Sequence, residues 1–177
     1  MRFDVAIAIR REYPMFLIFY GPGYNPSLSP AVADEKYPAC RQTPLDYTIE
    51  AGHQSVAQLL IQAGANIHAE NRDSQTPLLQ AASSGLDSVI ELLLSKGASV
   101  SHTDIWDLGA LSYAAAKGHI STARLLIRGG AEANQKDDAS WSALYYAIMW
   151  EHHDIARLLL ECGAMRDAEC DVNISSL

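Results

Sequence analysis

Cysteine is scarce in this chain of 177 residues, which contains Cys40, Cys162 and Cys170 alone. An odd number of thiols without the spacing of a disulfide framework is typical of a reducing compartment, so we expect an intracellular protein, cytoplasmic or nuclear. Long apolar runs are missing too. The apolar stretches 5–9 and 15–20 are separated by charged residues, and neither reaches the roughly 20 residues of a membrane span. We therefore expect neither a secretory leader nor a membrane anchor.

Basic residues are also few, with 13 Lys and Arg against 21 Asp and Glu and a net charge of -8. Residues 1–40 are balanced, with four basic and four acidic side chains, so the acidic excess lies in the rest of the chain. A surface of this sign repels phosphate backbones and anionic lipid, so we expect no nucleic-acid and no membrane partner. Two interpretations remain: a basic protein partner, or a charge that serves solubility.

Sequence motifs that support catalysis are missing as well. The chain has no G-x-S-x-G nucleophile elbow, and no cysteine is placed with a suitable histidine and acid. The glycines at 21 and 23 lack the following helix and lysine of a phosphate loop. The histidine pair 152–153 with Cys162 and Cys170 has some metal-ligand character, but its spacing matches no zinc pattern. We expect no enzyme, no cofactor, no metal and no small-molecule substrate.

What the sequence does contain is one segment repeated four times at a constant spacing. The repeating columns are Leu45, Leu78, Leu111 and Leu144, then the Leu-Leu pairs 59–60, 92–93, 125–126 and 158–159, and the Gly-Ala pairs 64–65, 97–98, 130–131 and 163–164. A fixed period of about 33 residues is typical of stacked supersecondary units that bury their apolar faces on one another. Such a stack exposes a long surface and has no obvious enclosed pocket.

Each repeat predicts a helix, a tight turn, a second helix and a loop. In the second repeat, the hydroxyl of Thr76 is expected to cap the first helix, and Pro77 suits the first helical position. Gly85 ends that helix, apolar residues at helical spacing form the next one, and Gly97 can adopt the left-handed conformation that ends it. The loop that follows each second helix contains turn-forming residues and has no helical period.

This pattern resembles the ankyrin repeat. The residues that carry the resemblance are the Thr-Pro-Leu segments 43–45 and 76–78, the Gly-His pairs 52–53 and 118–119, and the Leu-Leu and Gly-Ala columns. The resemblance implies an all-α solenoid of stacked helix-turn-helix units joined by hairpin loops. It also implies protein binding through the hairpin tips and the concave face of the first helices.

The resemblance covers about residues 41–171, divided into repeats at 41–73, 74–106, 107–139 and 140–171. Residues 1–40 do not follow the repeat register and are predicted to be a non-repeat extension, with a Pro- and Gly-rich linker at 21–30. Residues 172–177 are predicted to be a C-terminal tail. The polar residues of the last second helix are candidates for a capping face, which terminal repeats normally need.

Two positions depart from the repeat pattern. Gly109 occupies the place of the capping threonine, so the third repeat lacks a capping side chain. Glu151 stands in the column of Gly52, Gly85 and Gly118. If that turn requires a positive φ, glutamate is strained there by about 1–2 kcal/mol.

The resemblance places the variable, partner-facing positions in the hairpins and on the first helices. In repeats three and four these positions hold Ile105, Trp106, Leu108, Lys117, Trp141, Met149 and Trp150, whereas repeats one and two present small or polar groups. All three tryptophans of the chain fall in these positions, and tryptophan is enriched among binding hot spots. The alternative is that the rings cover their own hairpins and helix ends.

Asn134 is a candidate modification site. Its position eight residues after Leu126 resembles the ankyrin asparagine that oxygen-sensing hydroxylases modify. The alternative is that its side chain stabilises a hairpin turn.

Taken with the missing catalytic motifs, the resemblance predicts a non-catalytic protein-protein interaction module, an adaptor or scaffold. Two alternatives stay open. The chain is a substrate-recruiting or regulatory subunit of a larger assembly such as a ubiquitin ligase, or it is a fragment of a longer ankyrin array.

Overall fold

A computed structural model describes residues 42–166, which form eight α-helices in four successive pairs. The helices are α1 (Pro44–Glu50), α2 (Gln54–Gln62), α3 (Pro77–Ser84), α4 (Asp87–Ser95), α5 (Ala110–Lys117), α6 (Ile120–Arg128), α7 (Ala143–Met149) and α8 (His153–Glu161). The predicted extension 1–40 and tail 172–177 lie outside the described residues. The predicted fold class, an all-α solenoid of helix-turn-helix units, is confirmed.

The helices stack in two layers. The first helices α1, α3, α5 and α7 each contact the next in order, and the second helices α2, α4, α6 and α8 do the same. In the first layer, alanines such as Ala81, Ala114 and Ala147 are fully buried, and their small side chains let neighbouring helices approach closely. Leu93 and Leu126, from the repeated Leu-Leu pairs, are fully buried between the layers. The single-leucine column and the second leucine of each Leu-Leu pair are therefore core residues, whereas Leu59, Leu92 and Leu125 are half-buried.

A side-chain cap is present at the start of α1 and α7 and is missing at the start of α3 and α5. Thr43 and Asp46 form a reciprocal capping box, in which each side chain accepts a hydrogen bond from the other residue's backbone N–H. Ser142 accepts from the backbone N–H of Tyr145 at 3.3 Å. The prediction that the Thr76 hydroxyl caps α3 is wrong. Its Oγ1 is buried and has no hydrogen-bond partner in the described part of the chain, and α3 begins there with Pro77, whose fixed φ suits a first helical residue.

The turn between the two helices of a repeat needs a positive φ. It is 68° at Gly85 and 79° at Gly118, and Glu151 has a φ of 59° in the same column. The strain expected at Glu151 is therefore present. A histidine of the following repeat lies over each of the two glycines: a Cβ added at Gly118 would lie 2.7 Å from Cε1 of His152. These glycines are required both by backbone conformation and by space.

Each hairpin is numbered with the repeat whose first helix follows it. The hairpins of repeats two, three and four are joined by backbone hydrogen bonds. The N–H of Ile105 donates to the carbonyl oxygen of Asp73, and the N–H of Asp138 donates to that of Trp106, both at 3.1 Å. The two later hairpins are closed at their bases by isolated antiparallel bridges, Thr103 with Gly109 and Lys136 with Ser142. These contacts fix each hairpin relative to the next.

Candidate functional site

Five of the six apolar side chains predicted to face a partner are exposed. The exposed fractions are 54% for Ile105, 44% for Trp106, 37% for Trp141, 48% for Met149 and 63% for Trp150. Leu108 is half-buried and Lys117 is exposed at the C-terminal end of α5. We call Ile105, Trp106, Leu108, Trp141, Met149 and Trp150 the apolar surface. It comprises parts of two neighbouring hairpins and the end of α7.

A buried aspartate organises the hairpin of the third repeat. Asp104 is 4% exposed, and its Oδ1 accepts hydrogen bonds from the backbone N–H groups of Trp106 at 2.9 Å and Leu108 at 3.0 Å. Its Oδ2 accepts from the hydroxyl of Tyr113 on α5 at 2.5 Å. The aspartate therefore ties the hairpin tip to the first helix and holds the backbone of Trp106 in place.

The fourth repeat uses the same device at the equivalent positions. Asp137 accepts from the backbone N–H of Trp141 at 2.8 Å and from the hydroxyl of Tyr146 on α7 at 2.5 Å. Burial raises the pKa of both Tyr113 and Tyr146, and the hydrogen bond to the aspartate raises each pKa further. Both hydroxyls therefore stay protonated at neutral pH and act as donors.

Sequence reasoning did not find these aspartate-tyrosine pairs. The signal was available, because each aspartate precedes its tyrosine by nine residues in two consecutive repeats.

The second repeat lacks the pair. Asn71 and Gln80 occupy the two positions, and Asn71 instead accepts hydrogen bonds from the backbone N–H groups of Asp73 and Gln75. Both amide atoms of Gln80 are buried without a hydrogen-bond partner among residues 42–166. At this position the second repeat thus has a buried amide without a hydrogen bond among the described residues, whereas repeats three and four have a tyrosine hydroxyl that is hydrogen-bonded.

The three tryptophans have different surroundings. The ring of Trp141 stacks on Tyr145 with centroids 4.7 Å apart and meets the edge of Tyr146 at 5.9 Å. In the described part of the chain, no such ring contact is made by Trp106 or Trp150. Packing on the two tyrosines therefore explains much of the position of the Trp141 ring. The rings of Trp106 and Trp150 have no aromatic partner among the described residues.

The repeated histidines have a structural position. Nε2 of His119 lies 3.2 Å from the carbonyl oxygen of Ser83, and Nε2 of His152 lies 3.3 Å from that of Ala116. Each ring thus bridges its own repeat to the preceding one. Within residues 42–166, no group of three or more His, Cys, Asp or Glu side chains could hold a metal ion. Of the two cysteines considered with the histidine pair 152–153, Cys162 is exposed and Cys170 lies outside the described residues.

Asn134 uses its amide group across the repeat boundary. Its Nδ2 donates to the carbonyl oxygen of Gly163 at 3.3 Å, and its Oδ1 accepts from the backbone N–H of Met165 at 2.7 Å. The side chain thus joins its own hairpin to the loop after α8. Hydroxylation of Asn134 stays a prediction.

The fold and these contacts define a helical repeat protein with exposed apolar side chains on two hairpins and at the end of α7. The family model described as ankyrin repeats (3 copies) matches residues 7–104 and 101–174, so the chain belongs to the ankyrin repeat family. Ankyrin repeats are generally protein-protein interaction modules. The first match begins inside the segment predicted to be a non-repeat extension, and the domain boundaries stay a prediction. No curated protein matches the chain, and no helix among the described residues is long and apolar enough to cross a membrane.

Proposed function

We propose that the chain is a non-catalytic adaptor or scaffold that binds a protein partner through the apolar surface of repeats three and four. The observation that carries this proposal is the exposure of Trp106 and Trp150, at 44% and 63%, on a backbone that is already fixed. Exposed tryptophan removed from water by a partner contributes more binding energy than almost any other side chain.

The hydrogen bonds beneath the surface favour binding without rearrangement. The backbone of Trp106 is held by Asp104 within its hairpin and by Asp138 of the next hairpin. Ordering a loop on binding costs free energy, and a loop that is already ordered avoids that cost. A standard interface uses about 800 Å² of each partner, which two to three repeats can supply.

The test is affinity capture with the full chain. Wild-type protein and the double variant Trp106→Ala/Trp150→Ala are immobilised and exposed to the same cell extract, and the retained proteins are quantified by mass spectrometry. Met165→Ala is the control, because Met165 is the most exposed apolar side chain outside the apolar surface among the described residues, at 70%. Circular dichroism verifies that all three proteins are folded.

We expect proteins that the wild type and Met165→Ala retain equally and that the double variant loses by about 30-fold or more. This loss follows from two hot spots of about 2 kcal/mol each, reduced for their incomplete burial. Equal retention by all three proteins would contradict the proposal.

A further inference from the structure

Four aspartates lie in the two hairpins that carry the apolar surface. Segments 104–109 and 137–142 contain Asp104, Asp107, Asp137 and Asp138 and no basic residue. Asp107 and Asp138 are both exposed. Asp107 follows Trp106 in the sequence, and the backbone N–H of Asp138 donates a hydrogen bond to the carbonyl oxygen of Trp106. The exposed lysines of these repeats lie outside the two segments, Lys117 at the C-terminal end of α5 and Lys136 at the base of the fourth hairpin. The tips therefore combine tryptophan with negative charge alone.

The negative charge of the hairpins is not neutralised within the described part of the chain. Across residues 42–166, no basic side chain forms an ion pair with any of the four aspartates. The buried carboxylates of Asp104 and Asp137 accept their hydrogen bonds from neutral groups, the backbone N–H groups and the tyrosine hydroxyls. Burial is the largest cause of the raised pKa of Tyr146 on α7, and the charges of Asp137, Asp138 and Asp104 raise it further. The charge of Asp104 therefore acts beyond its own hairpin.

We propose that the hairpin tips of repeats three and four bind an extended basic segment of the partner, with Lys or Arg side chains placed between apolar ones. This inference rests on the proposed function, since it assigns the chemistry of the partner to the same surface. A guanidinium or ammonium group over the exposed ring of Trp106 gains a cation–π contact and lies beside the carboxylates of Asp107 and Asp138. The aliphatic residues of the segment cover Ile105 and Met149.

The charge pattern also selects against other partners. An acidic segment would meet the exposed carboxylates of Asp107 and Asp138, and like charges brought together at an interface disfavour binding. Attraction between opposite charges mainly raises the rate of association and weakens as salt screens it. Binding should therefore decrease as salt concentration rises.

The test uses a phage-displayed library of random 12-residue peptides, selected on the full-length protein at low salt. Enriched peptides are synthesised, and their affinity is measured by fluorescence anisotropy for four proteins. These are the wild type, Asp107→Asn/Asp138→Asn, Trp106→Ala/Trp150→Ala, and the control Glu91→Gln/Glu161→Gln. The control removes two exposed charges from the second helices α4 and α8, and asparagine suits the left-handed backbone at Asp107, where φ is 60°.

We expect the enriched peptides to be basic and to bind the Asp107→Asn/Asp138→Asn variant about fivefold to tenfold more weakly than the wild type or the control. Neutral or acidic peptides that depend on the two tryptophans would overturn the basic-segment inference and leave the proposed function standing. Peptides that bind the tryptophan variant as tightly as the wild type would count against both. A selection that enriches no peptide contradicts the inference, because the proposed partner is a linear segment.

Discussion

Replacing Glu151 with glycine should stabilise the fourth repeat. The backbone at Glu151 has a φ of 59°, close to the 68° of Gly85 in the same column. Its N–H donates to the carbonyl oxygen of Ile148 at 3.1 Å, and its own carbonyl accepts from His153 at 3.0 Å. Gly118 makes the corresponding two bonds, to Ala115 and from Ile120. The turn at Glu151 therefore has the same backbone conformation and hydrogen bonds as the turn at Gly118, although glutamate disfavours a positive φ.

The magnitude follows from two opposing terms. A non-glycine residue in the left-handed region costs about 1–2 kcal/mol, and glycine loses about 0.4–1 kcal/mol through the greater entropy of its unfolded chain. The net gain in unfolding free energy is about 0.5–1 kcal/mol. For a domain of this size that corresponds to a rise of about 2–5 °C in Tm.

The assay is thermal unfolding of the full chain by circular dichroism, with Glu151→Ala as the matched control. Alanine removes the same exposed carboxylate but keeps the strained backbone, so its Tm should not rise. If Glu151→Gly melts at or below Glu151→Ala, the gain does not come from φ and the reasoning is refuted.

Three further outcomes are expected. Gly118→Ala should lose about 1–3 kcal/mol more in urea unfolding than Gly52→Ala, because both keep a positive φ but only the first Cβ meets a histidine ring. Gln80→Leu should gain about 1 kcal/mol in the same assay, since it removes two buried amide atoms without partners among residues 42–166. Burial and Asp104 raise the pKa of Tyr113, so the stability from its protonated hydroxyl is present below about pH 10 and is lost as the pH rises towards the folded pKa. In stability measured from about pH 9 to about pH 11, Tyr113→Phe should therefore decline less than the wild type.

The stack could be read from the sequence because its period is local and repeated. Leucines at a constant spacing fall at equivalent positions in every unit, so one assignment of the core fixed all four repeats. The positive φ at Glu151 followed from its glycine column in the same way. The prediction of a hydroxyl cap at Thr76 was wrong because the repeat pattern predicts the residue type at that position but not whether its hydroxyl turns towards the backbone.

The candidate surface was harder to anticipate. The tryptophan positions came from the family resemblance, but their exposure depends on neighbours that only the packed hairpins reveal: Trp141 has Tyr145 beneath it, and Trp150 has no ring among the described residues. The aspartate-tyrosine pairs were missed because each joins a loop to a helix nine residues later. Neither helical nor strand periodicity connects residues at that spacing.

The most direct test of the central claim is the Tm of full-length Trp106→Ala/Trp150→Ala. If these rings serve recognition and contribute little to folding, the variant melts within about 2 °C of the wild type, as surface substitutions do. A fall of about 8 °C or more, comparable to that expected for a buried leucine such as Leu126→Ala, would mean that the rings belong to the core and would contradict the proposed binding surface.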